Sequence, residues 1–136
     1  MTILYLQPGC QFDTLILADV QTSQLLPKKY YNPPHKRLVE VVSQVAESCD
    51  EACERTHHSL KCRVDQFVHI NKCSVLRRHF DNCNKGCLGG MLGPEVPSFG
   101  AEESNPEFFG QCMISSPTAS LCNANHWSTK RLCPCV

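Results

Sequence analysis

Sulfur is the reactive chemistry in which this sequence is richest: 11 of its 136 residues are cysteine, at positions 10, 49, 53, 62, 73, 83, 87, 112, 122, 133 and 135. A cysteine can act as a nucleophile, ligate a metal as thiolate, or pair into a disulfide, and spacing discriminates among these roles. No Cys-x-x-Cys occurs, which argues against a thioredoxin-type redox centre and against the common zinc ribbon. The motifs present are Cys49-x3-Cys53, Cys83-x3-Cys87 and Cys133-Pro134-Cys135. The cysteines of the last motif are too constrained by the proline between them to bond well to each other. Each is expected to find its own partner, pinning this segment to the body twice.

Three other chemistries compete with disulfides. Cys49, Cys53, His57 and His58 fall at helical spacing and His126 lies near Cys122, so a tetrahedral zinc site can be drawn. Their spacings match no common zinc template. Cys62 stands four residues after His58, a separation that could pair a nucleophile with a base on one helix face. With so many cysteines, a disulfide sulfur beside an exposed histidine is the simpler reading. The carboxylate pairs Asp50-Glu51 and Glu102-Glu103 are adjacent residues, which do not face each other on a helix, and both are expected to be solvated. There is no G-x-S-x-G elbow, phosphate-cradling glycine loop or H-E-x-x-H. No catalytic, cofactor-binding or metal-ligating residue is therefore assigned. The expectation is five disulfides among Cys49, Cys53, Cys62, Cys73, Cys83, Cys87, Cys112, Cys122, Cys133 and Cys135, with pairing left open and Cys10 as the unpaired candidate. Each bridge would stabilise by roughly 2–4 kcal/mol. Trp127, the single tryptophan, is expected to plug the core or cover a disulfide, with sugar stacking as the lesser alternative.

The elements that must carry these residues divide at Asn32-Pro33-Pro34. Residues 1–34 form a short N-terminal segment holding only Cys10, with apolar runs at 3–6 and 14–18 that read as short strands and cannot build a core alone. Residues 35–136 form the cysteine-rich module. Leu38, Val41, Val42 and Val45 follow i, i+3, i+4, i+7 spacing and predict a helix capped by Asn32 and continuing through Cys49 and Cys53. Further short helices are predicted around Val64–Val68 and from Ser74 to Phe80. Gly86 to Pro106 reads as a glycine- and proline-rich loop, Phe108–Ile114 as short strand, and Asn123 to Val136 as polar and irregular. The fold class is thus a small α+β disulfide-rich module of short helices and long irregular loops.

Thirteen basic residues balance thirteen acidic ones, which argues against a nucleic-acid or anionic-lipid partner. The Lys28-Lys29-Tyr30-Tyr31 cluster with Lys36-Arg37 is too small to change that. No apolar run approaches the roughly 20 residues of a membrane-spanning helix. About 8% cysteine points to an oxidising compartment, yet Met1–Leu6 lacks the basic start of a signal peptide. The expectation is a piece of a longer chain that carries its targeting segment elsewhere, rather than a cytosolic protein rich in thiols.

The order of motifs carries one more signal. Ser48-Cys49-Asp50-Glu51-Ala52-Cys53 is followed by Cys62, Phe67-Val68-His69-Ile70-Asn71, Cys73, Leu76, Phe80, Cys83, Gly86-Cys87 and Pro97-Ser98-Phe99. The series closes with Cys112, Cys122 and Arg131-Leu132-Cys133-Pro134-Cys135. Over about two-thirds of the chain this resembles the C-terminal cysteine-rich region of the alpha-1,6-mannosylglycoprotein 6-beta-N-acetylglucosaminyltransferases. The resemblance implies a Golgi-lumenal or secreted setting. It implies an inverting transfer, without metal or other cofactor, of N-acetylglucosamine from UDP-N-acetylglucosamine to the 6-hydroxyl of an N-glycan mannose. A GT-B-like core of two Rossmann-type halves performs that chemistry in the family. Such a core needs several hundred residues, so no catalytic residue carries over and the 136 residues are expected to be inactive alone. Residues 1–34 would be a remnant of the α/β core. The implied partners are the catalytic core of the parent enzyme and a glycoprotein acceptor. Cys73 and Cys87 occur only in part of the family and would add a bridge. The alternative is a free-standing secreted disulfide-rich binding module.

Overall fold

A long strand near the C-terminal end organises the molecule. The computed structural model describes residues 33–115 and 119–136. The apolar runs at 3–6 and 14–18, Cys10, the Lys28–Tyr31 cluster and the Asn32 cap lie outside them. Residues 34–136 form one compact unit. Its strands are β1 (Val39–Val42), β2 (Cys87–Leu88), β3 (Ser98–Gly100), β4 (Cys112–Met113) and β5 (Thr129–Cys135). They make a mixed sheet in the order β1-β5-β3-β4-β2, with only the β2–β4 pair parallel. The helices are α1 (Cys49–Thr56), α2 (Cys73–Leu76) and short 3₁₀ turns at Val64–His69 and Asp81–Cys83. This is the small α+β disulfide-rich module that the composition called for.

Strand β5 corrects the reading of residues 123–136 as irregular. A strand containing Lys130, Arg131 and Pro134 looks too polar and too interrupted for a sheet centre. The sheet accommodates Pro134 because the ladder alternates sides. Leu132 N–H donates to Pro97 O at 3.1 Å and Val136 N–H to Lys61 O at 2.9 Å, so the proline's missing donor falls at the short Lys61–Arg63 flank. Its carbonyl still accepts from Arg63 N–H at 3.0 Å. Only one ladder bond is lost.

The predicted helix over 38–45 is likewise overturned. Val39–Val42 is β1, paired antiparallel to β5 from Val39 opposite Cys135 to Val42 opposite Leu132. The run Val-Glu-Val-Val is β-branched at three of four positions, and such side chains pack better on a pleated surface than along a helix. Val41 is buried between the partly exposed Glu40 and Val42, the alternation of a half-buried strand, while Val39 at its start stays exposed. Ala46 then takes a left-handed φ of 67°, which separates β1 from α1.

Helix α1 is capped at Ser48 and is a separate element, not the continuation of a helix over 38–45. Ser48 Oγ accepts from Glu51 N–H at 3.1 Å and Glu51 Oε1 accepts from Ser48 N–H at 2.9 Å, a reciprocal capping box. Asp50 and Glu51 sit in its first turn and Arg55 in its last, matching the helix dipole. The buried face is Cys49, Ala52 and Cys53. Within the 86–106 stretch read as loop, β2 and β3 are ordered instead. Gly100 of β3 lets the Phe108–Phe109 backbone approach: a Cβ there would lie 1.8 Å from Phe108 O. Phe67, Ile70, Leu76, Phe80 and Leu132 form the apolar centre, with the Phe80 and Phe99 rings stacked at 4.9 Å.

Candidate functional site

The ten cysteines of the module form five bridges: Cys49–Cys133, Cys53–Cys135, Cys62–Cys122, Cys73–Cys87 and Cys83–Cys112. The first two follow from geometry. Residues four apart on a helix share a face and are separated by about 6 Å along its axis. Residues two apart on a strand share a face and are separated by about 6.6 Å. Cys-x3-Cys on α1 and Cys-Pro-Cys on β5 therefore match in pitch, and the two close as a double clasp. All four of these cysteines are fully buried.

These pairings settle what the candidate ligands can do. Cys62 is bonded to Cys122, so it offers no thiolate to His58. Cys49 and Cys53 are likewise spent. Asp50 brings a carboxylate close to the Cys62 and Cys122 sulfurs, all within 4.8 Å of one another, but disulfide sulfurs are poor metal ligands. His57 Nδ1 accepts from Ser59 N–H at 3.2 Å, and the His57 and His58 rings stack at 4.9 Å. Asp50 and Glu51 serve the start of α1, as described above.

The most unusual side chain is one that the sequence did not single out. Arg131, on β5 in phase with Cys133 and Cys135, is completely buried. Its Nη1 donates to Leu121 O at 2.6 Å and Ala124 O at 2.8 Å; Nη2 donates to Pro94 O at 3.3 Å and Val96 O at 3.5 Å. The guanidinium carbon lies 5.4 Å from the centre of the Phe67 ring, within cation–π range. Burial pulls its pKa down to about 10, and the fields of Glu95 and Asp50 only partly oppose this. It remains a cation at neutral pH. Its role is to tie two loops, 94–96 and 121–124, to the central strand. The signal available in the sequence was the period-two placement of a charge beside two cysteines expected to be buried.

A second charged group also lay outside the sequence reading. Glu40 of β1 faces His79 Nε2 at 2.7 Å and accepts from Arg78 Nη2 at 2.9 and 3.0 Å. Burial alone would raise the Glu40 pKa. Hydrogen bonds from His79 and Arg78 outweigh it and hold the carboxyl below its ordinary range.

Trp127 corrects an expectation as well. It is 57% exposed and so does not plug the core. Its loop, residues 121–128, is nonetheless held from several sides. Cys62–Cys122 and the two Arg131 bonds anchor one end. At the other end Ala101 N–H donates to Ser128 O at 2.8 Å. Asn105 Nδ2 donates to Ser128 Oγ at 2.9 Å, and His126 Nδ1 accepts from Ser128 N–H at 3.2 Å. The His126 and Trp127 rings lie 5.8 Å apart, 27° from parallel.

No protein-family model matches this chain, and no curated protein matches it. Five disulfides mark a secreted or lumenal protein. Among the described residues, no helix is long and apolar enough to cross a membrane.

Proposed function

We propose that this chain is the disulfide-bonded accessory module of a Golgi N-acetylglucosaminyltransferase of the alpha-1,6-mannosylglycoprotein 6-beta type. In this role it buttresses a GT-B catalytic core or helps to position the glycoprotein acceptor. It does not perform the transfer. The observation that carries the reading is the ordered series from Ser48-Cys49 to Arg131-Leu132-Cys133-Pro134-Cys135. Its closing motif is also the physical centre of the module: Arg131 anchors two loops, Leu132 fills the core, and both cysteines clasp α1. Such mutual dependence is a reason for the motif to persist as a unit in a family.

The test has two parts. Transcripts spanning residue 1 are sequenced upstream, and the 136-residue chain is assayed with UDP-N-acetylglucosamine and a mannose-terminated N-glycan. A continuous reading frame into a GT-B core, with no transfer by the 136 residues alone, supports the proposal. An in-frame stop before residue 1 in every transcript overturns it. It would leave the second reading, a free-standing secreted binding module, which the exposed and well-anchored Trp127 favours.

A further inference from the structure

We infer that Trp127 and its flanking side chains form a binding platform for a neutral pyranose sugar. An indole ring is large and apolar, and leaving more than half of it in water forgoes stabilisation that burial would supply. Here the exposure is not the fraying of a slack loop. The segment 121–128 is bonded to α1 through Asp50 N–H donating to Cys122 O at 3.0 Å, and to the 94–96 loop through Leu121 N–H donating to Pro94 O at 3.0 Å. The Cys62–Cys122 bridge and the Arg131 bonds tie it further. A rigid loop that presents a solvent-facing indole is preorganised for contact, and preorganisation lowers the entropic cost of binding.

The neighbours identify the class of ligand. Between Leu121 and Ser128 there is no aspartate, glutamate, lysine or arginine. A phosphate or nucleotide would call for cations, and a basic peptide for carboxylates. The exposed flanking residues are instead the amides Asn123 and Asn125, which offer paired donors and acceptors in a plane. His126 adds a directed donor. Its Nδ1 is occupied as an acceptor from Ser128 N–H, so the ring proton sits on Nε2, and the Asn105–Ser128–His126 chain fixes the ring beside the indole. An exposed indole on a loop whose other exposed polar side chains are the neutral amides Asn123 and Asn125 complements a pyranose, which has an apolar C–H face and a rim of hydroxyls. The inference stands on this loop alone and does not depend on the glycosyltransferase proposal.

The single tryptophan makes the site self-reporting. The full chain is titrated with N,N′-diacetylchitobiose, mannobiose and lactose while its emission is followed. At least one should give a saturable blue shift. Trp127→Ala should abolish sugar contacts seen by saturation-transfer NMR, a weakening of about tenfold or more, as loss of a stacking partner entails. Trp127→Phe, which keeps a ring, should retain weaker binding. Disulfide mapping of both variants ensures that loss of binding is not loss of fold. Absence of saturation with all three sugars overturns the inference, as does undiminished binding by correctly bridged Trp127→Ala.

Discussion

The Cα atoms of Cys49 and Cys133 stand 5.2 Å apart although 84 residues separate them in the chain. This bridge and its neighbour Cys53–Cys135 close nearly the same loop, which spans most of the module, so removing both together should be severe. Chain entropy gives about 4.5 kcal/mol for a loop of that length and about 3 kcal/mol for the 14-residue Cys73–Cys87 loop. Burial widens the gap, because Cys49 and Cys133 are fully enclosed whereas Cys87 is partly exposed. The variant C49A/C53A/C133A/C135A, which opens the long loop, should lose more denaturation midpoint than C73A/C87A, measured without reductant. The reverse order would show that the segment around α2 and β2, rather than the α1–β5 clasp, holds the fold.

Native thiol labelling provides a second prediction. With all five bridges formed, alkylation before reduction should label no cysteine between 49 and 135. After reduction all ten should react. Eight or more labelled without reduction would remove the case for an oxidising compartment and restore the metal-binding alternative.

Acid stability should depend on Glu40 and Glu47. Glu47 binds Arg55 through two bonds of 2.8 Å. Arg55's hydrogen bond, supported by one from Gln44 N–H, holds its carboxyl below the ordinary range despite partial burial. Glu40 is held low by His79 and Arg78, against the opposing effect of burial. A carboxyl depressed in the folded state stabilises fully above its unfolded pKa, 4.5 here, and that contribution fades as pH falls through the lower folded value. Both groups are partly solvated, so each pair should contribute only about 0.2–1 kcal/mol at neutral pH. Urea midpoints measured from pH 7 down to 3 should fall less steeply for E40Q and E47Q than for the parent. An unchanged slope in both would place the acid sensitivity elsewhere.

The contrast between α1 and β5 explains which parts of this fold were legible. Ser48, Glu51, Cys49 and Cys53 carry their signal within a single turn: a reciprocal cap, then a buried stripe. The four-residue spacing of Cys49 and Cys53 correctly implied a helix, although as the tail of a longer one begun before residue 38, and the Cys-Pro-Cys motif correctly implied two separate partners. β1 and β5 owe their conformation to each other across more than 80 residues. In isolation, Leu38, Val41, Val42 and Val45 satisfy a helical period, and Thr129–Cys135 looks too polar and proline-broken for a sheet centre. Trp127 was misplaced for a related reason. Tryptophan is usually mostly buried, and nothing local reveals that Arg131 ties its loop down with the indole outside. The cage around Arg131 is the least legible feature, because its acceptors are backbone carbonyls that any sequence possesses.

That cage yields the sharpest stability prediction. Leu121 O and Ala124 O accept from Arg131 Nη1, and no other hydrogen bond to either is present among the described residues. Pro94 O and Val96 O have second donors in Leu121 N–H and Ser120 Oγ. Arg131→Met keeps much of the volume but leaves the first two carbonyls without their donor, which should cost on the order of 1–3 kcal/mol. Arg131→Lys keeps the charge, but one ammonium cannot span acceptors on two loops as a planar guanidinium does, so it should rescue only part of the loss. The damage should be local first. Limited proteolysis of either variant should begin in 121–128 before the α1–β5 clasp opens, and the Trp127 emission should lose its fixed environment. A methionine variant as stable as the parent would mean that the loops are held by the Cys62–Cys122 bridge alone. The buried cation would then have to be explained by something other than structure.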